Sequence, residues 1–353
     1  MRRSEIARYR RQVTLLGQDR QQKLLDARVA VIGAGGLGSP ALLYLAGAGV
    51  GRVLIIDADE VDLSNLHRQI IHTTAGVGRP KTDSAREAML ELNPSISVTV
   101  VRERLSWENA GELLTGHDMV LDGSDNFETR HIASRAAASL GIPHIWASIL
   151  GFDAQLSVFW AGHGPIYEDL FPAPPPPGSV PSCSQSGVLG PVVGVVGSAM
   201  AVEAVKLITG IGTPLLGTLG YYCSLEGTWE YIPVRADPRT VPRVLAHVGA
   251  SSSSTELLDV PRVPSPPPGT ALIDVREATE FNAYSIPGAV NVPLSAIRAG
   301  EIPTEVETGS EVVFYCASGV RSAQAVAILH AAGFSSMSSL DGGIEGWLDA
   351  TGA

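Results

Sequence analysis

Cysteine is scarce in this chain, and its scarcity excludes two structural classes. The 353 residues include three cysteines, Cys183, Cys223 and Cys316, which lie far apart in the sequence. They form neither a Cys-x-x-Cys pair, as a structural zinc site would need, nor the even, dense set of a disulfide framework. A reducing compartment fits this usage best, and we expect the protein to be cytoplasmic.

Positive charge and long apolar runs are also limited. Lys and Arg number 25 against 36 Asp and Glu, and the net charge of -11 argues against nucleic acid as a main partner. The first twelve residues have no apolar core, so we do not expect a signal peptide. The longest apolar stretch, 188–202, is short for a membrane span and is predicted to be a buried helix. We therefore expect neither a nucleic-acid partner nor a membrane partner.

A Gly-rich turn follows the first apolar strand. Residues 29–32 are Val-Ala-Val-Ile, and they lead into Gly33, Gly35 and Gly38 with the spacing Gly-x-Gly-x-x-Gly. A strand, a turn and a helix start in this order present backbone N–H groups and the helix dipole to a phosphate. Asp57 follows roughly twenty residues later, as in dinucleotide-binding proteins. Taken alone, this pattern also suits an NAD-dependent oxidoreductase.

The residues after the second strand favour a nucleoside triphosphate instead. Arg68 and Lys81 follow the apolar run 54–56. Hydride transfer does not need such cations, whereas cleavage of a triphosphate does. Asp125 follows a later strand, at the edge where ligands of α/β sheets bind, and it is suited to hold Mg²⁺. The sequence contains no Gly-x-x-x-x-Gly-Lys-Ser/Thr motif, which excludes a P-loop enzyme.

A second anion-binding loop lies near the end of the chain. The strand 312–315, Val-Val-Phe-Tyr, leads into a cysteine and the start of a helix. This position favours a thiolate and binds anions, so we predict a reactive thiol rather than a structural one. The residues of this predicted persulfide loop are Cys316, Ala317, Ser318, Gly319, Val320 and Arg321.

Composition divides the chain into two predicted domains. A stretch with a Ser251–Ser254 tract, 236–261, is predicted to be the linker. Residues 1–235 alternate strand and helix patterns and include the alternating run 155–160, which is typical of an antiparallel strand. Residues 262–353 are predicted to form a smaller α/β domain. The expected fold class is therefore α/β in both parts.

The first part of the chain resembles the E1-like activating enzymes for ubiquitin-like sulfur carriers, of the ThiF/MoeB type, in the branch that serves molybdopterin synthase. The stretches that carry the resemblance are 8–12 (Arg-Tyr-Arg-Arg-Gln), 33–40, 64–69, Lys81, 122–126, 171–178 and 181–183 (Pro-Ser-Cys). The resemblance covers about residues 1–235. It implies a Rossmann-like adenylation domain with a mixed sheet, ATP and Mg²⁺ as its ligands, and a homodimer.

The resemblance also implies roles for individual residues. Asp57 is expected to bind the ribose, Gly36 to lie against the nucleotide, Asp125 to hold Mg²⁺, and Arg11 to reach into the partner subunit's site. The residues implied to contact phosphates are Asn65, Arg68 and Lys81. The whole predicted nucleotide site comprises Gly33, Gly35, Gly36, Gly38, Asp57, Ser64, Asn65, Leu66, His67, Arg68, Lys81, Asp125 and Asn126.

The last part of the chain resembles a single-domain rhodanese over about residues 262–350. The Cys-x-x-Gly-x-Arg loop 316–321 occurs together with 272–276 (Leu-Ile-Asp-Val-Arg), 286–289 (Ile-Pro-Gly-Ala) and 342–347. The resemblance implies that Cys316 carries a persulfide and that Arg321 shapes the loop. Tyr284 and Ser285 depart from the Gly-His pair that is common before Ile-Pro-Gly, which could alter the support of the loop.

A second departure concerns zinc. Close relatives of the first domain often carry two Cys-x-x-Cys pairs, and the corresponding positions here are Ile166, Asp169, Thr240 and Arg243. These residues cannot form a tetrahedral zinc site, so we expect no structural zinc and a lobe held together by packing alone. Glu168 and Asp169 are expected to be ordinary surface charges.

The two resemblances together predict an ATP-dependent enzyme. It would adenylate the C-terminal glycine of a small carrier ending in Gly-Gly and then transfer sulfur from Cys316 to give a thiocarboxylate. The sulfur donor would be thiosulfate or a cysteine desulfurase. Cys183 would attack the acyl-adenylate or form a mixed disulfide with the carrier, and whether it is required stays open, as does the pathway.

Two other functions are compatible with parts of the sequence. An NAD-dependent oxidoreductase fused to a sulfurtransferase is favoured only by the Gly-rich turn and Asp57. A non-catalytic scaffold for a ubiquitin-like protein would not need the triphosphate-binding set of Arg68, Lys81 and Asp125. The intact set therefore favours an adenylating enzyme.

Overall fold

The computed structural model describes residues 3–174, 187–246 and 260–351. The chain forms two compact units, residues 1–249 and residues 250–353. Cys183 and most of the proline-rich stretch before it lie outside the described residues. The predicted role of Cys183 is therefore not addressed by the structure.

The first unit alternates strands and helices. Its strands are β1 Arg28–Ile32, β2 Arg52–Ile56, β3 Ser97–Val101, β4 Met119–Asp122, β5 His144–Leu150, β6 Asp153–Phe159, β7 Thr218–Cys223 and β8 Thr228–Pro233. Its helices are α1 Arg3–Leu16, α2 Gln18–Asp26, α3 Gly38–Ala48, α4 Lys81–Leu92, α5 Ala110–Leu114, α6 Phe127–Leu140, α7 Tyr167–Leu170, α8 Gly190–Thr209 and α9 Thr240–Ala246. Short 3₁₀ turns are formed by Leu63–Asn65 and Thr74–Gly76. Helix α9 lies within the stretch expected to be a linker, and it contacts α6 and α7.

The eight strands form one mixed sheet, which confirms the predicted fold class. The strand order is β3-β2-β1-β4-β5-β6-β7-β8, with parallel pairing from β3 to β5 and antiparallel pairing from β5 to β8. The order reverses between β1 and β4, and ligands of such sheets bind at this switch point, beyond the carboxyl ends of the strands. Ile32 lies beside both Ile56 and Asp122 in the register. The loops that follow β1, β2 and β4 therefore meet at one edge.

Helix α8 is the predicted apolar helix, and it packs against α3 and against strands β5 and β6. Val192, Val196, Met200 and Ala204 are each at most 3% exposed. A Cβ on Gly197 would collide with the carbonyl of Leu37, so only glycine allows this close approach of the two helices. Helix α8 is long and apolar enough to cross a membrane, but helices in protein cores often have the same length and composition. Half of α8 is buried within the structure.

Asp169 lies at one of the four positions where the resemblance predicts cysteine, and it joins two segments through hydrogen bonds. We call this arrangement the Asp169 clasp. Oδ2 of Asp169 accepts from the backbone N–H of Ile166 at 2.9 Å, and its Oδ1 accepts from the backbone N–H of Asp237 at 3.0 Å. Asp237 in turn accepts from the N–H of Thr240, the first residue of α9. The expectation that packing alone holds this part of the first unit was wrong, because the partly exposed carboxylate of Asp169 ties the start of α7 to Asp237 through hydrogen bonds.

Glu168 is buried rather than exposed. It is 5% exposed, accepts from Ser134 Oγ at 2.7 Å and pairs with His131 Nδ1 at 2.9 Å, which joins α7 to α6. The ring of His131 packs edge-on against Tyr167, with ring centroids 5.1 Å apart. Burial raises the pKa of Tyr167 to about 12. The lobe is therefore stabilised by a buried carboxylate and aromatic rings in addition to the Asp169 clasp.

The second unit is a five-stranded parallel sheet with helices, which confirms the predicted small α/β domain. Its strands are β9 Arg262–Val263, β10 Ala271–Asp274, β11 Val290–Asn291, β12 Val312–Tyr315 and β13 Met337–Leu340, in the order β11-β10-β12-β13-β9. Its helices are α10 Ala278–Ala283, α11 Leu294–Arg298, α12 Thr304–Glu307, α13 Val320–Ala331 and α14 Gly343–Thr351. The central strand β12 is fully buried, as expected for a parallel strand covered on both faces. Cys316 follows directly at its carboxyl end.

The Asp169 clasp generates a prediction about metal dependence. Asp169→Ala leaves two backbone N–H groups without their acceptor and should lower the free energy of unfolding by about 1–3 kcal/mol. Calorimetry of the full chain measures this as a lower unfolding temperature, while Glu226→Ala, in the exposed turn after β7, serves as the control. A chelator should leave the wild-type transition unchanged. A chelator-sensitive transition, or about one zinc per chain by metal analysis, would contradict the clasp.

Candidate functional sites

The Gly-rich turn between β1 and α3 has a shape that only glycine permits. Gly33 has φ +86°, and its N–H donates to the carbonyl of Ile56 at 2.9 Å. A Cβ on Gly33 would lie 3.3 Å from the carbonyl of Gly123, and one on Gly38 would collide with the carbonyl of Gly33. The turn is therefore closed tightly against the loop that follows β4.

The middle of the turn is open to a ligand. Among the described residues, no acceptor is bonded to the backbone N–H of Gly35 or Gly36. Both residues are partly exposed, and α3 begins at Gly38 immediately after them. Unpaired N–H groups at a helix start bind anions, so this turn fits a phosphate group.

Asp57, which directly follows β2, fixes the Gly-rich turn by a hydrogen bond to Ala34. Its Oδ2 accepts from the N–H of Ala34 at 2.8 Å, and its Oδ1 accepts from the N–H of Asp59 at 2.8 Å. Burial raises the pKa of Asp57, against the effect of these hydrogen bonds and of Lys81. Each oxygen retains a lone pair, which suits the predicted contact with a ribose hydroxyl.

Lys81 begins α4 and faces a carboxylate that the sequence did not single out. Its side chain is 9% exposed, and Nζ lies 3.0 Å from Oδ2 of Asp59. Arg104 lies 3.9 Å from the other oxygen of Asp59. Asp59 follows Asp57 by two residues, but nothing in the spacing indicated that it would pair with Lys81.

The segment 62–68 is folded by its own side chains. Asp62 accepts from the N–H of Ser64 at 2.7 Å and caps the 3₁₀ turn, and Asn65 completes this cap through Oδ1. Arg68 donates to the carbonyl of Ser64 at 3.2 Å and lies 2.8 Å from Nε2 of His67. These predicted site residues are exposed or partly exposed, including Leu66.

The N-terminus of α8 packs against this segment. A Cβ on Gly190 would collide with the carbonyl of His67. The predicted phosphate contacts are therefore positioned by a local cap and by a neighbouring helix.

The loop after β4 carries Asp125 on a buried support. Asp122 is fully buried, accepts from the N–H of Ser124 at 3.0 Å and pairs with Nε2 of His144 at 3.2 Å. Burial alone would raise the pKa of Asp122, but the bonds from His144 and Ser124 lower it. Asp125 itself is exposed, and Asn126 caps α6 by accepting from Thr129. Asp125 is thus free for a ligand, whereas the side-chain oxygen of Asn126 is used within the fold.

Arg11 lies apart from the other predicted residues. It is exposed on α1, and its neighbour Gln12 donates to the carbonyl of Ala48 at 2.8 Å. Ala48 is the last of the 11 residues of α3, and the Gly-rich turn lies at the other end, about 16 Å along the helix. The structure therefore does not bring Arg11 to the turn of its own chain.

In the second unit, Cys316 lies at the floor of a loop that begins α13. It is 1% exposed, and its Sγ accepts from the N–H of Gly319 at 3.2 Å and lies 3.6 Å from Ser322 Oγ. Gly319 has φ +90° and precedes the first residue of the helix. The sulfur is therefore close to unpaired N–H groups of a helix start, which stabilise negative charge.

The start of α14 binds the back of this loop. The N–H of Ile344 donates to the carbonyl of Cys316 at 2.8 Å, and the N–H of Glu345 donates to that of Ala317 at 3.1 Å. A Cβ on Gly343 would collide with both carbonyls. These carbonyls are thus turned towards α14 and held there.

Arg321 is held by Glu280, a residue that the sequence did not indicate. Two parallel hydrogen bonds of 2.8 and 2.9 Å join the guanidinium to the carboxylate. Burial opposes both charges, yet the pairing raises the pKa of Arg321 and lowers that of Glu280. Arg321 therefore joins the start of α13 to α10.

The Tyr284–Ser285 departure leaves the neighbouring support in place. Arg276 forms a buried pair with Asp274 and also donates to the backbone carbonyl of Tyr284 at 2.6 Å. This contact uses the backbone, so it does not depend on the side chain at position 284.

The Glu280–Arg321 pair generates a prediction about pH. A lowered pKa means that the pair contributes stability above the usual range of a glutamate and loses it as the pH falls through the folded value. Glu280→Gln should therefore lower the stability of the second unit at neutral pH by about 2 kcal/mol. The difference should close in acid, measured by urea unfolding of the full chain with exposed Glu307→Gln as the control. A difference that persists unchanged at low pH would contradict this account.

Comparison with known proteins places both units. The ThiF family model matches residues 9–242, and the rhodanese-like domain model matches residues 263–350. The chain is 45% identical over 372 residues to the probable adenylyltransferase/sulfurtransferase MoeZ of Mycobacterium tuberculosis, covering 98% of this chain and 93% of MoeZ. It is 48% identical over 242 residues to the sulfur carrier protein adenylyltransferase of Thermus thermophilus, covering 67% of this chain and 89% of that protein.

Solved structures agree with the fold of the first unit. MccB of E. coli superposes with a TM-score of 0.60 at 22% identity, covering 67% of this chain and 72% of MccB. PaaA superposes with a TM-score of 0.58 at 23% identity, covering 67% of this chain and 76% of PaaA. The predicted resemblances are confirmed: the chain belongs to the ThiF family and carries a C-terminal rhodanese-like domain.

Proposed function

We propose that this chain adenylates the C-terminal carboxylate of a ubiquitin-like sulfur carrier with ATP and then transfers sulfur to it from a persulfide on Cys316. The observation that carries the proposal is the presence of two anion cradles in one chain, one facing Lys81 and one enclosing a cysteine. The names of the relatives, adenylyltransferase and sulfurtransferase, support this function over an NAD-dependent oxidoreductase or a scaffold.

The first reaction makes a poor electrophile reactive. The carrier carboxylate attacks the α-phosphorus of ATP, the bond from that phosphorus to the β-phosphate oxygen breaks, and pyrophosphate leaves. Negative charge that develops on the phosphates would be offset by Lys81, Arg68 and the N–H groups of Gly35 and Gly36. The ion pair with Asp59 holds the buried Lys81 side chain in place before the nucleotide binds. An incoming phosphate would then compete with Asp59 for the Lys81 ammonium.

Asp125 is the proposed magnesium ligand. Within the described ranges, no group of three or more His, Cys, Asp or Glu side chains could hold a metal ion. A single exposed carboxylate fits Mg²⁺, which takes few protein ligands and completes its shell with phosphate oxygens and water. When bound, the ion neutralises charge on the phosphates. The buried Asp122–His144 pair keeps the loop that presents Asp125 in place.

A homodimer would explain the position of Arg11. The far end of α3 is the wrong end for a contact with the chain's own turn, so Arg11 is proposed to act in the site of a second copy. An arginine supplied in this way adds a permanent positive charge to the phosphates. The low cysteine count supports a reducing, cytoplasmic setting for the reaction.

The second reaction moves one sulfur atom. The Cys316 thiolate takes the outer sulfur of thiosulfate with release of sulfite, or accepts sulfur from the persulfide of a cysteine desulfurase. The terminal sulfur then attacks the acyl carbon of the adenylate and displaces AMP, which leaves an acyl disulfide on Cys316. A thiol of an external reductant attacks Sγ of Cys316, which releases the thiocarboxylate and leaves a mixed disulfide, and a second thiol of the reductant restores the Cys316 thiol.

The adenylation site is tested by pyrophosphate exchange. With ATP, Mg²⁺ and a carrier ending in Gly-Gly, Lys81→Ala or Asp125→Ala should lower exchange by roughly 10²-fold or more, because each removes a charge-stabilising group. Lys23→Ala removes an exposed lysine of α2 and should leave exchange unchanged. Exchange that survives both site variants would refute the assignment of this site.

The sulfur site is tested separately. Cys316→Ser should abolish sulfur transfer from thiosulfate to cyanide and leave pyrophosphate exchange nearly unchanged, because adenylate formation needs no thiol. Cys223→Ser, in β7, should affect neither reaction. Thiocarboxylate formation from thiosulfate by the Cys316→Ser protein would be decisive against a persulfide on this residue.

A further inference from the structure

His72 makes two buried contacts at the Gly-rich turn that the proposed chemistry does not use. Its Nε2 lies 2.9 Å from the carbonyl oxygen of Ala34, and its Nδ1 lies 2.9 Å from Oγ of Ser84. The residue is 5% exposed. It thus joins the turn after β1 to helix α4, which carries Lys81 three residues before Ser84.

The hydrogen-bond partners fix the proton on the ring. A carbonyl oxygen can only accept, so Nε2 of His72 carries the proton and donates to Ala34. Nδ1 is then the acceptor, and the hydroxyl of Ser84 donates to it. Burial lowers the pKa of His72, as does the nearby positive charge of Lys81, although the bond to Ala34 opposes this. The ring is therefore a neutral, singly protonated donor at neutral pH.

The contact with Ala34 determines where the next N–H group points. In a trans peptide the carbonyl of one residue and the N–H of the next point in opposite directions. His72 holds the carbonyl of Ala34 on the protein side, so the N–H of Gly35 points away, towards the open side of the turn. Asp57 holds the N–H of the same alanine at 2.8 Å. Both peptide groups of Ala34 are thus held, one by a carboxylate and one by an imidazole.

The turn needs such a support because of its glycine content. Rotation of the Ala34–Gly35 peptide changes φ of Gly35, and glycine adopts positive and negative φ about equally well. Without an external partner, this peptide could turn over and present a carbonyl oxygen to the phosphate. A negatively polarised oxygen in that place would repel the ligand.

We propose that His72 is a positioning residue of the nucleotide site, which holds the Ala34–Gly35 peptide so that the Gly35 N–H is directed at a nucleotide phosphate. The proposal rests on the proposed function of this site as an ATP-binding one. The hydrogen bond between Ser84 and Nδ1 of His72 fixes the ring relative to α4. The peptide donor and the Lys81 ammonium are thereby set relative to each other before the nucleotide binds.

Two substitutions separate the two contacts of the ring. In His72→Gln the amide nitrogen takes the place of Nε2 and keeps the bond to Ala34. In His72→Asn the shorter side chain keeps only an acceptor for Ser84. The Asn variant should raise the Kd of a non-hydrolysable ATP analogue, and the KM for ATP in pyrophosphate exchange, about tenfold or more. The reason is that the Gly35 N–H, no longer held in place, loses its hydrogen bond to the charged phosphate. The Gln variant should stay within about threefold of the wild type, and so should the control His117→Asn, at a partly buried histidine before β4.

The readouts separate positioning from general stability. Sulfur transfer from thiosulfate to cyanide, catalysed by the other unit, should stay unchanged in all three variants. Equal losses in Gln and Asn, or a lower unfolding temperature in Asn with unchanged ATP affinity, would overturn the role of His72. Wild-type protein that binds the analogue but shows no exchange with any Gly-Gly carrier would instead refute the proposed function.

A measurement on the wild-type chain covers the case in which a variant does not fold. Nitrogen-15 spectra of histidine-labelled protein should show His72 as the neutral Nε2–H form at neutral pH, and the ATP analogue should shift its signal. The His117→Asn protein identifies the resonance of the control ring. An Nδ1–H form, or a signal that the nucleotide leaves unmoved, would overturn the proposal.

Discussion

Unpaired backbone N–H groups at the start of a helix are the constraint on which both units depend. Each unit ends a central parallel strand in a short loop whose N–H groups must face a ligand rather than the protein. The carbonyls of the same loop must then be held elsewhere. In the first unit His72 holds the carbonyl of Ala34, and in the second unit the N-terminus of α14 holds the carbonyls of Cys316 and Ala317. The glycines and the surrounding side chains follow from this requirement.

The parts of the structure that the sequence could predict are those with a local signature. Gly33, Gly38 and Asp57 lie within one strand–turn–helix–strand unit, where spacing alone determines their proximity. The Cys316 loop is similarly local, because strand, cysteine and helix start are consecutive. Individual strands were predictable from short apolar runs and from the alternating run 155–160, whereas the mixed sheet was implied by the resemblance.

The residues that sequence reasoning missed have partners far away in the chain. His72 is 38 residues from Ala34, Glu280 is 41 residues from Arg321, and Glu168 is 37 residues from His131. Such pairs have no period and no fixed spacing, and a single polar residue gives no sign of whether it is buried. The resemblance implied a set of ligand-facing residues, but it did not indicate the residues that support them.

The clasp around Asp169 also determines which chemicals the fold can tolerate. A lobe closed by zinc-bound thiolates is open to attack by oxidants and by reactive sulfur, because thiolates exchange with persulfides and are readily oxidised. A carboxylate hydrogen-bonded to backbone N–H groups undergoes neither reaction. At these positions the first unit is therefore chemically inert to the sulfur species proposed to form on Cys316.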